Sequence, residues 1–511
     1  MDTKHLYTAV VATLAFVVLK IWLSNRMRRR GLHSLPGPRR LPLIGNLLDI
    51  NASEPWLTYT EWGKRYGGIV HSTLLGTDLI IINDEEIVHE LIEKRSTIYS
   101  GRPSLSLTGF LGLDFTTGIT PYGDRWRLHR KMFNIAFNKQ AAMAYRPMQM
   151  RKVRQMLQGV ITAPQDYSKH TRTFSGSIIM AITYGYDAMP EDDPFVSQAM
   201  RFAELVLTVV TIERAVVFSA FPILAYTPSW VPGGRYKQWA EEIRALARKG
   251  MDEPFSYVKQ NMIAGLAKKS LVNDLVVADI GRGTDHEDVI KEVAASAFLG
   301  HLQTHATILM FILAMTLYPE AQTKAQEEID RVVGRDRLPD FSDRENLPYV
   351  ESVLLETLRW HPISPLGFAH LTTSDDVYNG MYIPKDAIVF INLWAMTQDE
   401  TRYPNPTAFI PERHLNEDGK ITGDFLVPIF GSGRRICAGR HVADQSIWAV
   451  MVSMLATLHI RKAKDKLGNE IDVKPEFMTG IVLHPKPFAC SIVPRSSKAE
   501  QLIRSSNMLD E

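Results

Sequence analysis

Cysteine is nearly absent: 511 residues carry only Cys437 and Cys490. A disulfide framework is excluded, a reducing compartment is the expected setting, and a sulfur that matters acts singly. An excess of charge of either sign is also missing, with 58 basic residues against 56 acidic. The chain lacks the electrostatic footprint of a nucleic-acid binder, so any membrane or partner contact has to be local. Low-complexity tracts, internal repeats and a second linker are missing from about residue 47 to 495, which predicts one large domain in spite of the length.

What is present starts with LYTAVVATLAFVVLKIWL, Leu6 to Leu23, apolar except for Lys20. At about 1.5 Å per residue it spans a bilayer core of roughly 30 Å with help from its flanks. Arg26, Arg28, Arg29 and Arg30 follow, where a cleaved leader would place small residues, and such a basic cluster stays cytoplasmic. The reading is an uncleaved transmembrane anchor over 1–25 with a cytosolic body, so the sequon at Asn51 never meets the lumen. Residues 26–46, basic and rich in proline and glycine, read as a stiff linker. The body follows over 47–495, and the polar tail 496–511 is expected to fray.

Helical periodicity dominates the body, as in 241–262, 319–334 and 347–360, whereas strand-like pieces are short (68–76, 78–83, 387–394). The expected class is mainly α with small β-sheets. Residues 294–318 (AASAFLGHLQTHATILMFILAMTLY) are apolar almost all round and long enough to cross a membrane. His301, Gln303 and His305 sit in the interior, where lipid exposure is costly, so a core helix crossing a buried site is predicted. His301 and His305 have the i,i+4 spacing of helical metal ligands, but no third ligand is suggested and the H-E-x-x-H glutamate is absent.

Residues 430–439 read FGSGRRICAG. Gly431 and Gly433 are spaced as in dinucleotide fingerprints, but neither a βαβ unit nor the expected acidic residue accompanies them. The glycines instead let backbone approach a flat ligand, and Cys437 precedes an apolar helical segment with Arg435 two residues before it. A helix N-terminus and nearby cations both favour thiolate.

This stretch resembles the haem-binding loop of the cytochrome P450 family, F-x-x-G-x-R-x-C-x-G, with every fixed position filled, Gly439 included. The resemblance implies the P450 fold behind an N-terminal transmembrane helix, and haem b held by Cys437 as axial thiolate and metal ligand. It puts Arg435 on a haem propionate and Phe430 near the sulfur. Three further elements stand in the family's order. Trp126 and Arg130, in DRWRLHRK, are similar to the W-x-x-x-R helix that holds propionates. Glu356 and Arg359, in LLETLR, match E-x-x-R, and Arg413, in FIPERH, is similar to the third member of a buried Glu-Arg-Arg network in the haem-pocket wall. No flavin or nicotinamide motif is present, so the resemblance implies electrons from NADPH-cytochrome P450 reductase, which Arg434, Arg435 and Arg440 could steer. It also implies an endoplasmic reticulum membrane location with the catalytic domain in the cytosol. Apolar stretches at 104–115, 201–224 and 364–371 suggest a lipophilic small-molecule substrate. The segment AFPILAYTPSWVPGG resembles the loop through which membrane-bound members touch lipid. The texture is similar to fungal members that act on terpenoids, polyketides or alkaloids.

One motif departs. The family's A/G-G-x-D/E-T-T/S reads here Leu299, Gly300, His301, Leu302, Gln303, Thr304. The glycine is kept, but leucine replaces the acid and glutamine the first threonine. Leu302 cannot relay a proton and Gln303 does not titrate, although positioned proton transfer is typically worth about 10²–10⁴ in rate. Three outcomes follow: oxygenation with protons through water, Thr304 or His301; an atypical reaction such as ring closure, desaturation or rearrangement; or a haem-binding protein without turnover.

Overall fold

The computed structural model describes residues 31–505 apart from 105, 229, 232–233, 279–283, 426, 479 and 481. The anchor predicted over 1–25 lies outside the described residues.

Helices carry most of the chain. Those that build the site are α1 (Asp124–Phe137), α2 (Arg146–Thr162), α3 (Tyr167–Tyr184), α4 (Pro194–Val209), α5 (Tyr236–Ile263), α6 (Thr284–Leu299), α7 (His301–Leu317), α8 (Pro319–Val332), α9 (Pro348–Trp360), α10 (Arg440–Thr457) and α11 (Ser497–Ser505). The strands are β1 (His33–Ser34), β2 (Ile69–Leu74), β3 (Thr77–Ile82), β4 (His370–Leu371), β5 (Asp376–Tyr378), β6 (Met381–Ile383), β7 (Ile388–Ile391), β8 (Leu458–Lys462), β9 (Phe477–Met478), β10 (His484–Pro485) and β11 (Cys490–Pro494). They form small separate sheets, the largest in the order β2-β3-β7-β4.

Local chemistry explains that sheet. Leu74 pairs with Thr77 across a two-residue turn in which Leu75 and Gly76 both have positive φ (48° and 83°), the twist that a tight antiparallel hairpin needs. Leu79, Ile80, Ile81 and Ile82 are completely buried, as expected of a strand covered on both faces, and β7 joins β3 in parallel.

The predicted linker does not hang free. β1 pairs with β6, and the His71 amide donates to the Pro36 carbonyl at 2.8 Å. A Cβ on Gly37 would lie 2.0 Å from the His71 carbonyl oxygen, so this approach requires glycine. The tail differs too. Residues 497–505 form α11, whose Ala499 and Ile503 are buried at i,i+4 spacing, and Gln158 of α2 donates to the Ile503 carbonyl at 3.1 Å. Two apolar residues in a polar stretch suffice to dock it.

The apolar stretch 294–318 falls on two helices in line. α6 ends at Leu299 and α7 begins at His301, and the Gly300 amide reaches back only three residues, to the Ala297 carbonyl at 3.2 Å. Such a tightened turn inside a long helix frequently marks a functional position. The most apolar window of this rod is 83% buried, so it is a core helix. α7 packs against α3, α9 and α10, and the largest apolar core follows α7 and α10 through the molecule.

Candidate functional site

A cavity of about 410 Å³ lies where α1, α6, α7, the start of α10 and the loop before α10 converge. That volume is within the range of small-molecule sites. Its floor is the glycine loop. Gly433 adopts φ +60°, and a Cβ there would stand 2.4 Å from the Ile92 carbonyl oxygen. The turn brings the Cys437 amide to the Phe430 carbonyl at 2.8 Å, and both residues line the cavity. Gly433→Ala is expected to cost about 1–3 kcal/mol from left-handed backbone strain alone. Thermal unfolding followed together with haem absorbance checks it, and an unchanged midpoint would contradict the tight approach.

The Cys437 thiol is half-buried where it faces the cavity, and desolvation raises its proton affinity. The backbone amides of Gly439 and Arg440 and the charges of Arg130 and Arg440 work the other way without overcoming it. The helix N-terminus and cations expected from the sequence are in place, but desolvation outweighs them. A coordinated metal cation deprotonates such a thiol outright.

Three arginines surround the cavity without an acidic partner among the described residues. Arg130 of α1 donates through Nη1 to the Ile436 carbonyl at 2.9 Å. Arg435 donates to the Ser100 carbonyl (2.8 Å) and the Thr120 carbonyl (3.0 Å) and stacks 4.5 Å over the Trp126 ring, while its Nη1 is buried with no hydrogen-bond partner. Arg102, which the sequence did not single out, donates to the carbonyls of Gly118, Phe368 and Ala369. Burial, then the Arg435 charge, pushes Arg102 down to about 9, and burial with Arg130 pushes Arg435 down to about 10. Cations desolvated together and unpaired call for an anion. The two propionates of a haem supply that charge, and the orphaned Arg435 nitrogen and the sulfur facing the same cavity fit such a group. Trp126, Arg130, Phe430, Arg435, Cys437 and Gly439 are thus brought together as the sequence suggested.

Glu356, Arg359 and Arg413 are together but behind the wall. None lines the cavity, whereas Leu358 of the same helix does. Glu356 accepts from Arg359 Nη2 (2.7 Å) and Nε (2.8 Å), Arg413 Nε (3.2 Å) and the Ile410 amide (2.9 Å), and also meets His414 Nε2 at 3.0 Å. Burial raises the carboxyl, but Arg359 and His414 outweigh it and hold it at about 2. His414 had no signal in the sequence beyond adjacency to Arg413.

Above the sulfur, Gly300, His301, Leu302, Gln303 and Thr304 line the cavity. The two replacements therefore face the chemistry. His301 lines the same cavity, as the sequence suggested, while its ring is held from the α6 side. Its Nδ1 donates to the Phe298 carbonyl, its ring packs 4.2 Å from Phe298, and its Nε2 is buried without a partner. Burial holds it at about 4, so it is uncharged at neutral pH. His305, one turn on, meets Thr171 of α3 at 3.1 Å, and Ser175 of α3 donates to the His301 carbonyl at 2.5 Å. His305 thus belongs to the α3 seam, whereas His301 and Ser175 both reach the cavity. Among the described residues no group of three or more metal-ligating side chains is assembled.

Comparison with known proteins returns a family model described as Cytochrome P450, matching residues 35–492. Similar curated proteins include the cytochrome P450 monooxygenase claR of Ampulloclitocybe clavipes, 38% identical over 99% of this chain and 94% of its own. The monooxygenase COX2 of Coprinopsis cinerea is 37% identical over 99% of this chain and 97% of its own. The monooxygenase ple1 of Rhodocybe pseudopiperita is 36% identical over 97% and 96%.

Proposed function

Because this chain belongs to the cytochrome P450 family of oxidoreductases, we propose that it is a membrane-anchored haem-thiolate monooxygenase acting on a lipophilic small molecule, such as a terpenoid, polyketide or alkaloid. Its electrons come from NADPH-cytochrome P450 reductase. The observation that carries this reading is a half-buried cysteine facing an apolar cavity ringed by three arginines, with no acid among the described lining residues.

Cys437 would ligate the iron, and Arg102, Arg130 and Arg435 would hold the propionates. The bound haem supplies dioxygen activation. The chain's own contribution is exclusion of water by Phe133, Ile178, Ile179, Val210 and Leu302 along the walls, which also selects an apolar substrate. Gln303 and Thr304 offer polar atoms for orienting a ligand on the α7 side.

Membrane contact has support on the surface. Phe221, Ile223, Tyr226 and Trp230 are 51–83% exposed, as are Leu41, Leu43 and Leu48 at 50–74%. Val216, just before the first group, packs in the same cluster as Leu47 and Ile50, which brings the two segments to one region. Exposed apolar residues gathered this way suit a lipid surface. On the cysteine side, Arg434 is exposed and bonds Ser96 at 3.2 Å, and an acidic reductase surface would compete for it.

A second reading, ring closure, desaturation or rearrangement, is favoured by the placement of Leu302 and Gln303 in the cavity wall. Heavy-oxygen labelling separates the two. The protein is expressed beside the reductase and fed lipophilic candidates under labelled oxygen gas. Label in a Cys437-dependent product is the expected result, and a Cys437-dependent product without label moves the assignment to the second reading.

A further inference from the structure

With Leu302 and Gln303 in place no described lining residue of the cavity is an acid, yet another acid reaches it through a buried histidine. Glu292 stands on α6 about two turns before Gly300. Its Oε1 accepts from Arg125 Nη2 at 2.7 Å; the two side chains are 19% and 48% exposed, so this end touches solvent. Its Oε2 lies 3.4 Å from His129 Nε2, without hydrogen-bond alignment, and neither atom has another partner. His129 of α1 is completely buried, and its Nδ1 is 2.9 Å from Thr117 Oγ1. Thr117 lines the cavity beside Ser296, whose hydroxyl accepts from the Thr117 amide at 3.1 Å and donates to the Glu292 carbonyl at 2.8 Å. The helix that carries the acid thus also holds the threonine in place.

We propose that Glu292, His129 and Thr117 form a proton path from solvent to the cavity that stands in for the missing acid and alcohol. The proposal rests on the monooxygenase reading, because only dioxygen reduction creates the demand. That reaction takes dioxygen, two electrons from the redox partner and two protons, one oxygen entering the substrate C–H bond and the other leaving as water. In each transfer a solvent proton on Glu292 passes to His129 Nε2, the Nδ1 proton passes to Thr117 Oγ1, and the threonine's own proton enters the cavity. The ring is left as the other neutral tautomer, and the starting one returns by proton exchange with water, Nε2 giving up a proton and Nδ1 taking one. One proton moves inward each time, and two transfers serve one turnover.

The first test needs no substrate. Exchange of the imidazole Cε1 hydrogen with deuterium oxide requires a ring to take up solvent protons and meet solvent-derived base, and mass spectrometry reads it histidine by histidine. In the full-length haem-loaded protein His129 is expected to exchange within about tenfold of exposed His33 and well ahead of buried His305, slowing at least severalfold in Glu292→Gln. His129 as slow as His305 overturns the path. The second test uses the compound identified by oxygen labelling. Thr117→Val and Glu292→Gln are each expected to lower product per NADPH about tenfold or more, with peroxide release rising. Adding Leu302→Asp and Gln303→Thr should restore coupling in these variants. A loss that this pair does not restore is structural and overturns the proposal. A retained thiolate band in the reduced carbon monoxide spectrum of those variants shows that the haem-thiolate reading stands even then.

Discussion

Cys437→Ala is expected to abolish the thiolate band of the reduced carbon monoxide complex and all reductase-dependent product. No other sulfur can take over. Cys490 lies on β11, outside the cavity, where burial pushes its thiol up to about 12. Haem content should fall without vanishing, because Arg102, Arg130 and Arg435 remain to hold an anionic group. That split is informative: retained haem without the thiolate band assigns the sulfur to the iron and the arginines to the propionates. Cys437→Ser should behave alike, since a hydroxyl does not ionise in a desolvated site. An unchanged thiolate band in either variant would sink the ligand assignment.

Glu356→Ala is expected to cost about 3–5 kcal/mol, because Arg359 and its neighbours would be left buried without their counter-charge. Arg359 is completely buried. Against a typical total of about 5–15 kcal/mol, that loss leaves little folded protein at growth temperature. The same network makes the fold acid-sensitive. The Glu356 carboxyl is held at about 2 against an ordinary 4.5, so its contribution is complete above pH 4.5 and is lost as pH falls from there toward 2. At about 1.4 kcal/mol per unit this is on the order of 3 kcal/mol. Glu356→Gln keeps the shape and removes the titration. Its stability should be lower at neutral pH and flatter between pH 4.5 and 2, as read by circular dichroism alongside haem absorbance. A variant with wild-type acid sensitivity would place the controlling carboxylate elsewhere.

The parts legible in the sequence are those whose chemistry is local. The cysteine loop could be read because its glycines, arginine and sulfur act within ten residues of chain, and α9 because its apolar periodicity is regular. How His301 is held against α3 could not be read. α7 is apolar on all sides, so periodicity marks no cavity face, and only contact with Ser175 and Thr171 of α3 fixes one. Arg102 was invisible for a related reason: its partners are carbonyls of Gly118, Phe368 and Ala369, two of them more than 260 positions away. Gly300 could be read as the glycine that the family motif keeps, but its shortened hydrogen bond is a tertiary outcome. In α11 the polar composition concealed a docking pair that only the groove of α2 gives meaning.

The pairing of β3 with β7 also sets a timetable for synthesis. Thr77–Ile82 leaves the ribosome long before Ile388–Ile391, the strand that covers its edge. At about 5–20 residues per second the interval is roughly 15–60 s. Through that time a run of three isoleucines offers unpaired backbone to any neighbouring chain, the hazard of an uncovered sheet edge. β1 waits similarly for β6. A nascent chain held at a membrane by its leading segment would spend this interval away from other copies of itself, so deleting residues 1–25 is expected to raise aggregation during synthesis more than it lowers the stability of the finished fold.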